Sequence, residues 1–225
     1  MKINSINENN YRQNFGAIKV ARARITTDAG TKLYHLYNLE RQDQDFLRNL
    51  YNKIDVEKRY PGLSDTEYSL WDYVLDVGLR GYYDNRIRKG LLLANQDKIP
   101  CGVMKYEDNK AKANIKYFAT WPIEVSQRVP LAGKTLMMEF FRQILDNPGT
   151  RIVELNALKY SAFSPISKYM EMGFKMVGGT DGNQLMHLKL ENIPAVIEKF
   201  KNKIKIMPLT EPRKVLIDKD LNIQV

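Results

Sequence analysis

The chain has 225 residues, 44% hydrophobic and 27% charged, with a formal net charge of +9, as expected of a globular protein long enough to bury a sizeable core. No apolar run approaches the roughly 20 residues of a membrane-spanning helix. The Asn-rich start has no apolar signal core, and Cys101, the single cysteine, excludes an intrachain disulfide, so the cytoplasm is the expected compartment. The positive charge reads first as lysines spread over a solvated surface and second as attraction to an anion such as a phosphorylated cofactor. There is no dense Lys/Arg block and no aromatic–basic signature, so nucleic acid is not indicated.

Residues 1–16 lack periodicity and read as a flexible tail. Ile18–Thr27 and Lys32–Leu39 are β-leaning runs around the Asp28-Ala-Gly30 turn, which predicts a hairpin. Glu40–Ile54 carries Phe46, Leu47, Leu50, Tyr51 and Ile54 at helical spacing. Tyr60-Pro-Gly62 breaks it. Ser64-Asp-Thr-Glu67 reads as a capping box, and Leu70, Trp71, Val74, Leu75 and Leu79 continue as a second helical face. Gly90–Asn95, Ile99–Tyr106 and Ala111–Trp121, joined by short polar turns, predict an antiparallel meander. Thr135–Leu145 is the clearest helix, stopped by Asn147-Pro-Gly149. Ile152–Leu158 reads as a strand and Ser164–Met172 as a short helix capped by Gly173, with strands at Phe174–Val177 and Leu185–Leu190. Beyond Asn192 a helix over Pro194–Phe200 competes with an extended reading. In the extended form Lys199, Lys201, Lys203 and Lys205 share one side, as a protected sheet edge or, second, an anion-binding comb.

The chemistry concentrates between Lys112 and Lys175. Arg128-Val-Pro-Leu-Ala-Gly-Lys-Thr135 follows a strand and opens directly into a helix. The first turn of a helix has backbone N–H groups without partners, and the helix dipole favours negative charge there, so the loop is a candidate pyrophosphate cradle. The same residues end like a Walker A loop, Gly-x-x-x-x-Gly-Lys-Ser/Thr. However, Arg128 stands at its first glycine, and the preceding sheet reads as a meander rather than βαβ units. A P-loop nucleotide-binding protein is therefore a minor alternative. His35 and His187 have no neighbour at metal spacing and read as packed or surface residues, so no metal site is expected. Cys101 reads as a small buried hydrophobe, and Trp71 and Trp121 as core or pocket aromatics, with Trp121 the better pocket candidate.

The element order, a leading hairpin, two helices, a three-stranded meander, helix, strand, helix and two strands, resembles the Gcn5-related N-acetyltransferase (GNAT) superfamily over about residues 32–190. The family's phosphate loop, Arg/Gln-x-x-Gly-x-Gly/Ala, is met by Arg128-Val-Pro-Leu131-Ala-Gly133, and its second signature, Tyr-Glu-Lys-Leu-Gly-Phe, by Tyr169-Met-Glu-Met-Gly173-Phe174. The first loop glycine is Leu131 here. Leucine resists backbone conformations that glycine permits, which predicts a displaced loop or weakened cofactor binding.

The resemblance implies a mixed α/β fold with a mostly antiparallel twisted sheet flanked by helices. The domain would span residues 17–190, with an N-terminal extension and a C-terminal one over 191–225 that packs on the domain or trails it. It implies acetyl-CoA as cosubstrate, an amine acceptor (small molecule or protein) and an acetyltransferase reaction, with a homodimer left open. Arg128, Leu131, Ala132, Gly133, Lys134 and Thr135 would hold the cofactor, and the end of strand Tyr117–Trp121 would pair with its pantetheine arm. Tyr169 would protonate the departing thiolate. Glu124 or Glu154 would be the base, unless water relays the proton. The helix pair Glu40–Leu79 would border the acceptor, with Tyr60, Tyr68, Tyr73, Asp65, Glu67 and Asp72 as candidate contacts. A non-catalytic acyl-CoA-binding or regulatory module of the same fold is the rival reading.

Overall fold

The structure, a computed structural model, describes residues 17–40, 43–53, 72–74, 76, 79, 89–109, 111–121, 129–147, 149–159, 165–217 and 223–224. The expected tail, the capping box and the break at residues 60–62 lie outside them.

The expected hairpin is present as β1 (Ile18–Thr27) and β2 (Gly30–Leu39), with Gly30 turning the chain at φ 109°. Helix α1 (Gln44–Lys53) follows. The meander is β3 (Lys89–Ala94), β4 (Pro100–Asn109) and β5 (Lys112–Thr120), antiparallel throughout. Helix α2 (Ala132–Leu145), β6 (Ile152–Leu158), helix α3 (Pro165–Glu171), β7 (Lys175–Gly179) and β8 (Asn183–Lys189) complete the succession read from the sequence. A 3₁₀ turn then leads into helix α4 (Ile193–Phe200), followed by β9 (Ile204–Lys214). A separate short pair, β10 (Leu216–Ile217) and β11 (Ile223–Gln224), comes last.

Nine strands form one sheet in the order β7-β8-β6-β5-β4-β3-β2-β1-β9. Every neighbouring pair is antiparallel except β5 and β6. Both faces are covered. On one, Leu136, Met137, Phe140 and Phe141 of α2 pack with Leu91, Met104, Val153 and Leu155, and α4 adds Val196 and Phe200. On the other, Phe46, Leu47 and Leu50 of α1 pack with Tyr37, Leu39, Leu92, Val103 and Trp121. Double coverage explains why Gly90–Ala94 is buried residue by residue and reads as an unbroken apolar run. Strand β1, nearer the edge, alternates instead: Ala21, Ala23 and Ile25 face the core while Arg22 and Arg24 face solvent. Cys101 and Trp121 are core residues. The Cys101 thiol donates to the Leu93 carbonyl, and burial pushes its pKa up to about 12.

Of the competing readings beyond Asn192 the helix holds, so the lysines over residues 199–205 do not share one side of a strand. Helix α4 runs through Phe200, and Lys201–Lys203 form the turn after it. Lys199 donates to the Glu171 carbonyl and Lys201 pairs with Glu198, so only Lys205 lies on an edge strand. Apolar positions at helical spacing (Ile193, Val196, Phe200) are all buried and decide the segment over its charge alternation.

Candidate active site

Strands β5 and β6 part company. Their parallel pairing covers Lys112↔Ile152 to Ile115↔Leu155 and then stops, although β5 continues to Thr120 and β6 to Leu158. Beyond Ile115 the pairing between the two strands is not continued, and a wedge opens between them. A bulge sits where the wedge begins: Lys105 pairs with Tyr117 and Tyr106 with Ile115, which leaves Lys116 as the extra residue. The bulge shifts the side-chain phase so that Ile115 and Phe118 share one face.

Helix α2 begins over this wedge. Residues 129–132 form a tight turn in which the Ala132 N–H donates to the Val129 carbonyl at 3.3 Å. Pro130 stands second and Leu131 third, at φ 60° and ψ 10°. Positive φ at the third position, after proline, is what a type II turn requires and what normally selects glycine. The loop is thus not displaced. Leu131 takes the left-handed conformation that a glycine would take, at a cost of about 1–2 kcal/mol. Its partly buried side chain packs against the core and offsets part of that cost.

The helix start is electrically open. Leu131 gives no side-chain cap, and no acidic residue lies in the first turn. The Thr135 N–H closes onto the Leu131 carbonyl at 2.8 Å, whereas the N–H groups of Gly133 and Lys134 have no acceptor among the described residues. Thr135 is fully buried, and its Oγ1 also lacks a partner there. Gly133 lies close on the strand: a Cβ there would stand 3.2 Å from Cζ of Phe118, so that ring would have to give by a few tenths of an ångström. Glycine lets the helix start lie flat on β5. The rotation of α2 is fixed by a polar knot further along. Glu139, fully buried, accepts two hydrogen bonds from Arg142 at 2.6 and 2.9 Å and one from Gln143 at 2.8 Å. Gln143 in turn joins Asn38 on β2 and Tyr106 on β4.

Across the wedge, Tyr169 on α3 lies with its ring centroid 6.4 Å from Phe118 and 5.8 Å from Phe174. Burial pushes its phenol well above the usual tyrosine range, so it stays protonated at neutral pH. Gly173, at φ 84°, ends α3 and lets the chain turn into Phe174. Phe118 therefore touches both sequence motifs, the helix start through Gly133 and the Tyr169 ring directly. Sequence reading missed Phe118 because the bulge changes the strand's period just before it.

The remaining candidates separate. The Lys134 ammonium is held by Glu171 at 2.7 and 2.8 Å and lies 4.8 Å from the Phe200 ring centre, so its charge is spent within the protein. Glu171 has no signal in the sequence beyond lying two residues after Tyr169. Glu154 sits at the closed end of the wedge. It accepts from Lys112 at 2.8 Å, Asn114 at 3.1 Å and His187 at 2.7 Å. Burial raises its carboxyl pKa, but the hydrogen bonds from Lys112 and His187 outweigh that and hold it below the usual value. A carboxylate so held is a poor base. Asp72 accepts from the Tyr51 hydroxyl at 2.6 Å and Tyr73 is exposed. Glu124, Arg128, Tyr60, Asp65, Glu67 and Tyr68 lie outside the described residues. No cluster of three metal-ligating side chains occurs among the described residues, and no helix there is long and apolar enough to cross a membrane.

No family model matches the chain, and no curated protein does. Solved structures do. An uncharacterized protein from Bacillus halodurans superposes with a TM-score of 0.54 at 13% identity, covering 82% of this chain and 99% of that one. The apo form of FdhC, a nucleotide-linked sugar GNAT, gives 0.52 at 12% identity, covering 84% of this chain and 97% of that one. The chain has the GNAT fold. Strands β2 to β8 and helices α2 and α3 supply the strands and helices that the resemblance implied between residues 32 and 190. Strands β1 and β9 add two further strands to the GNAT sheet beyond β2. The single parallel pair also argues against the βαβ stack of a P-loop nucleotide hydrolase.

Proposed function

We propose that the protein is an acetyl-CoA-dependent N-acetyltransferase acting on a primary amine by direct attack in a ternary complex. The observation that carries this reading is Leu131 at φ 60°, which keeps the glycine turn and leaves the Gly133 and Lys134 N–H groups open at an uncapped helix start. A pyrophosphate is the natural acceptor for those donors. The end of β5 past its pairing with β6, at Phe118–Thr120, would take the pantetheine arm as a strand takes a partner.

The amine nitrogen attacks the thioester carbonyl carbon, a C–N bond forms, and the C–S bond breaks as the tetrahedral intermediate collapses. The attacking amine must lose a proton and the departing thiolate gains one. Tyr169, protonated and beside the wedge, is suited to donate that proton. Glu154 is committed to Lys112 and His187, which favours a water relay to bulk solvent for the amine proton, or Glu124.

A titration with acetyl-CoA, followed by thiol release over an amine panel, tests the proposal. Binding with acceptor-dependent thiol release supports it. Binding without release across the panel would favour the non-catalytic acyl-CoA module. No binding would remove both readings.

A further inference from the structure

The sheet edge built by β1 and β9 carries a concentration of unpaired positive charge. Lys19 on β1 lies opposite Tyr37 of β2 and Arg213 of β9; Arg22 lies opposite His35 and Met207; Arg24 lies opposite Leu33 and Lys205. Lys98, in the turn between β3 and β4, is close enough to depress both Lys19 and His35 electrostatically, as is Arg22. Lys19 is only 8% exposed, and burial together with Arg22, Lys98 and Arg213 lowers its pKa. Among the described residues no carboxylate contributes to either group's environment. Several cations elsewhere find acids: Lys89 with Asp108, Lys112 with Glu154, Lys116 with Glu107, Lys134 with Glu171 and Arg142 with Glu139. Lys19, Arg22, Arg24, Lys98, Lys205 and Arg213 make no ion pair among the described residues.

Protection of an exposed edge explains charge on β9. It does not explain Lys19, Arg22 and Arg24 on the strand inside it, or Lys98 in a turn two strands further in. The buried His35 imidazole adds a second sign of an incomplete site. It bonds to the Gln96 backbone, but its Nδ1 has no partner.

We propose that this cationic face binds the sugar–phosphate backbone of a single nucleic-acid strand. From Lys19 to Arg24 the charges extend about 13 Å along β1, allowing for the bulge after Lys19, and β1 and β9 set them about 5 Å apart across the sheet. A lone phosphate is too short to span that length, whereas a run of phosphodiesters does so. Guanidinium groups suit the bidentate geometry of phosphate oxygens. Ile99, 60% exposed beside Lys98, is one apolar side chain and not the apolar face with which an interfacial segment enters lipid. Among the described residues no exposed aromatic lies on these strands to stack bases, so the binding is sequence-tolerant and salt-dependent. Strand β1, which carries Lys19, Arg22 and Arg24, is four strands away from β5, about 19 Å across the sheet.

Fluorescence anisotropy of a labelled 20-nucleotide oligouridylate, titrated with the full chain at 50 mM salt, tests the proposal. The wild type binds, Arg22→Glu/Arg24→Glu weakens binding about 20-fold or more, and Lys175→Glu on β7 at the far sheet edge changes it less than about 2-fold. Circular dichroism checks that the double variant folds. If it does not, Lys98→Gln/Arg213→Gln replaces it, with an expected loss of about 5-fold. Absence of wild-type binding, or equal loss in Lys175→Glu, overturns the proposal. So does competition by inorganic tripolyphosphate at an affinity equal to the oligonucleotide's, which would make this a small-anion site. Capture by phosphatidylserine vesicles without oligonucleotide binding would make it a membrane site.

Discussion

The start of α2 and the β1–β9 edge are both proposed to meet anions, and they are built in opposite ways. At α2 the attraction comes from two backbone N–H groups and a helix dipole, with the one nearby lysine tied to Glu171. At the edge it comes from six side-chain cations with no backbone geometry aimed at a ligand. The first arrangement fixes position and tolerates salt, because short hydrogen bonds in a partly desolvated notch are weakly screened. The second gives reach and loses its hold as counterions compete. Under the two proposals, one polypeptide would separate precise from adaptable phosphate recognition by placing them on different parts of one sheet.

The largest expected effect tests the separation itself. Gly133→Glu puts a carboxylate at the helix start and a Cβ against Phe118, so acetyl-CoA affinity should fall by more than about 100-fold in calorimetry. Oligonucleotide anisotropy of the same variant should not change. Loss of both would mean that the two regions are one site. Tyr169→Phe should lower kcat about 100-fold with little change in KM, the signature of a proton donor acting in the transition state. A raised KM with unchanged kcat would make Tyr169 a packing residue. Raising salt from 50 to 200 mM should weaken oligonucleotide binding about 50-fold if four phosphates are engaged, and should move the acetyl-CoA affinity far less.

The edge should also make the fold sensitive to acid. Burial, then Lys19, Arg22 and Lys98, hold the His35 imidazole down to about 4. The unfolded chain protonates that ring below about pH 6.5, so between about 6.5 and 4 the unfolded state binds more protons. Stability therefore falls as pH drops through this window. Urea midpoints at pH 7 and pH 5 should differ more for the wild type than for His35→Gln, and equal differences would rule out His35 as the source. The smallest effect is expected of Leu131→Gly. It relieves about 1–2 kcal/mol of backbone strain and forfeits a partly buried side chain of similar worth. Stability should stay within about 1 kcal/mol of wild type while acetyl-CoA binds several-fold more tightly.

Where one segment carries a pattern, the sequence was enough to read it. The meander was legible because each strand is an apolar run between polar turns, and α2 because Leu136, Met137, Phe140, Phe141 and Ile144 form one buried stripe. Tyr169 and Gly133 were legible through motifs. Three features were not. The conformation of Leu131 is dictated by the Val129–Ala132 turn and not by leucine's own preference. Phe118 is hidden by a bulge that appears only when β4 and β5 pair. The cationic face is assembled from β1, a distant turn and β9, so its grouping shows only once the strands pair.

The pairing of β1 with β9 has a consequence for synthesis. Ile25 pairs with Ile204, so β1 leaves the ribosome early and waits with an open edge until the partner strand emerges. During that interval its unpaired N–H and C=O groups can recruit a foreign strand. A message truncated before residue 204 would yield a chain with the α2 helix start but with an exposed edge and without Lys205 and Arg213. Such a product should be prone to aggregate and easily recognised by chaperones and proteases, which makes completion of β9 a structural check that translation has passed that strand.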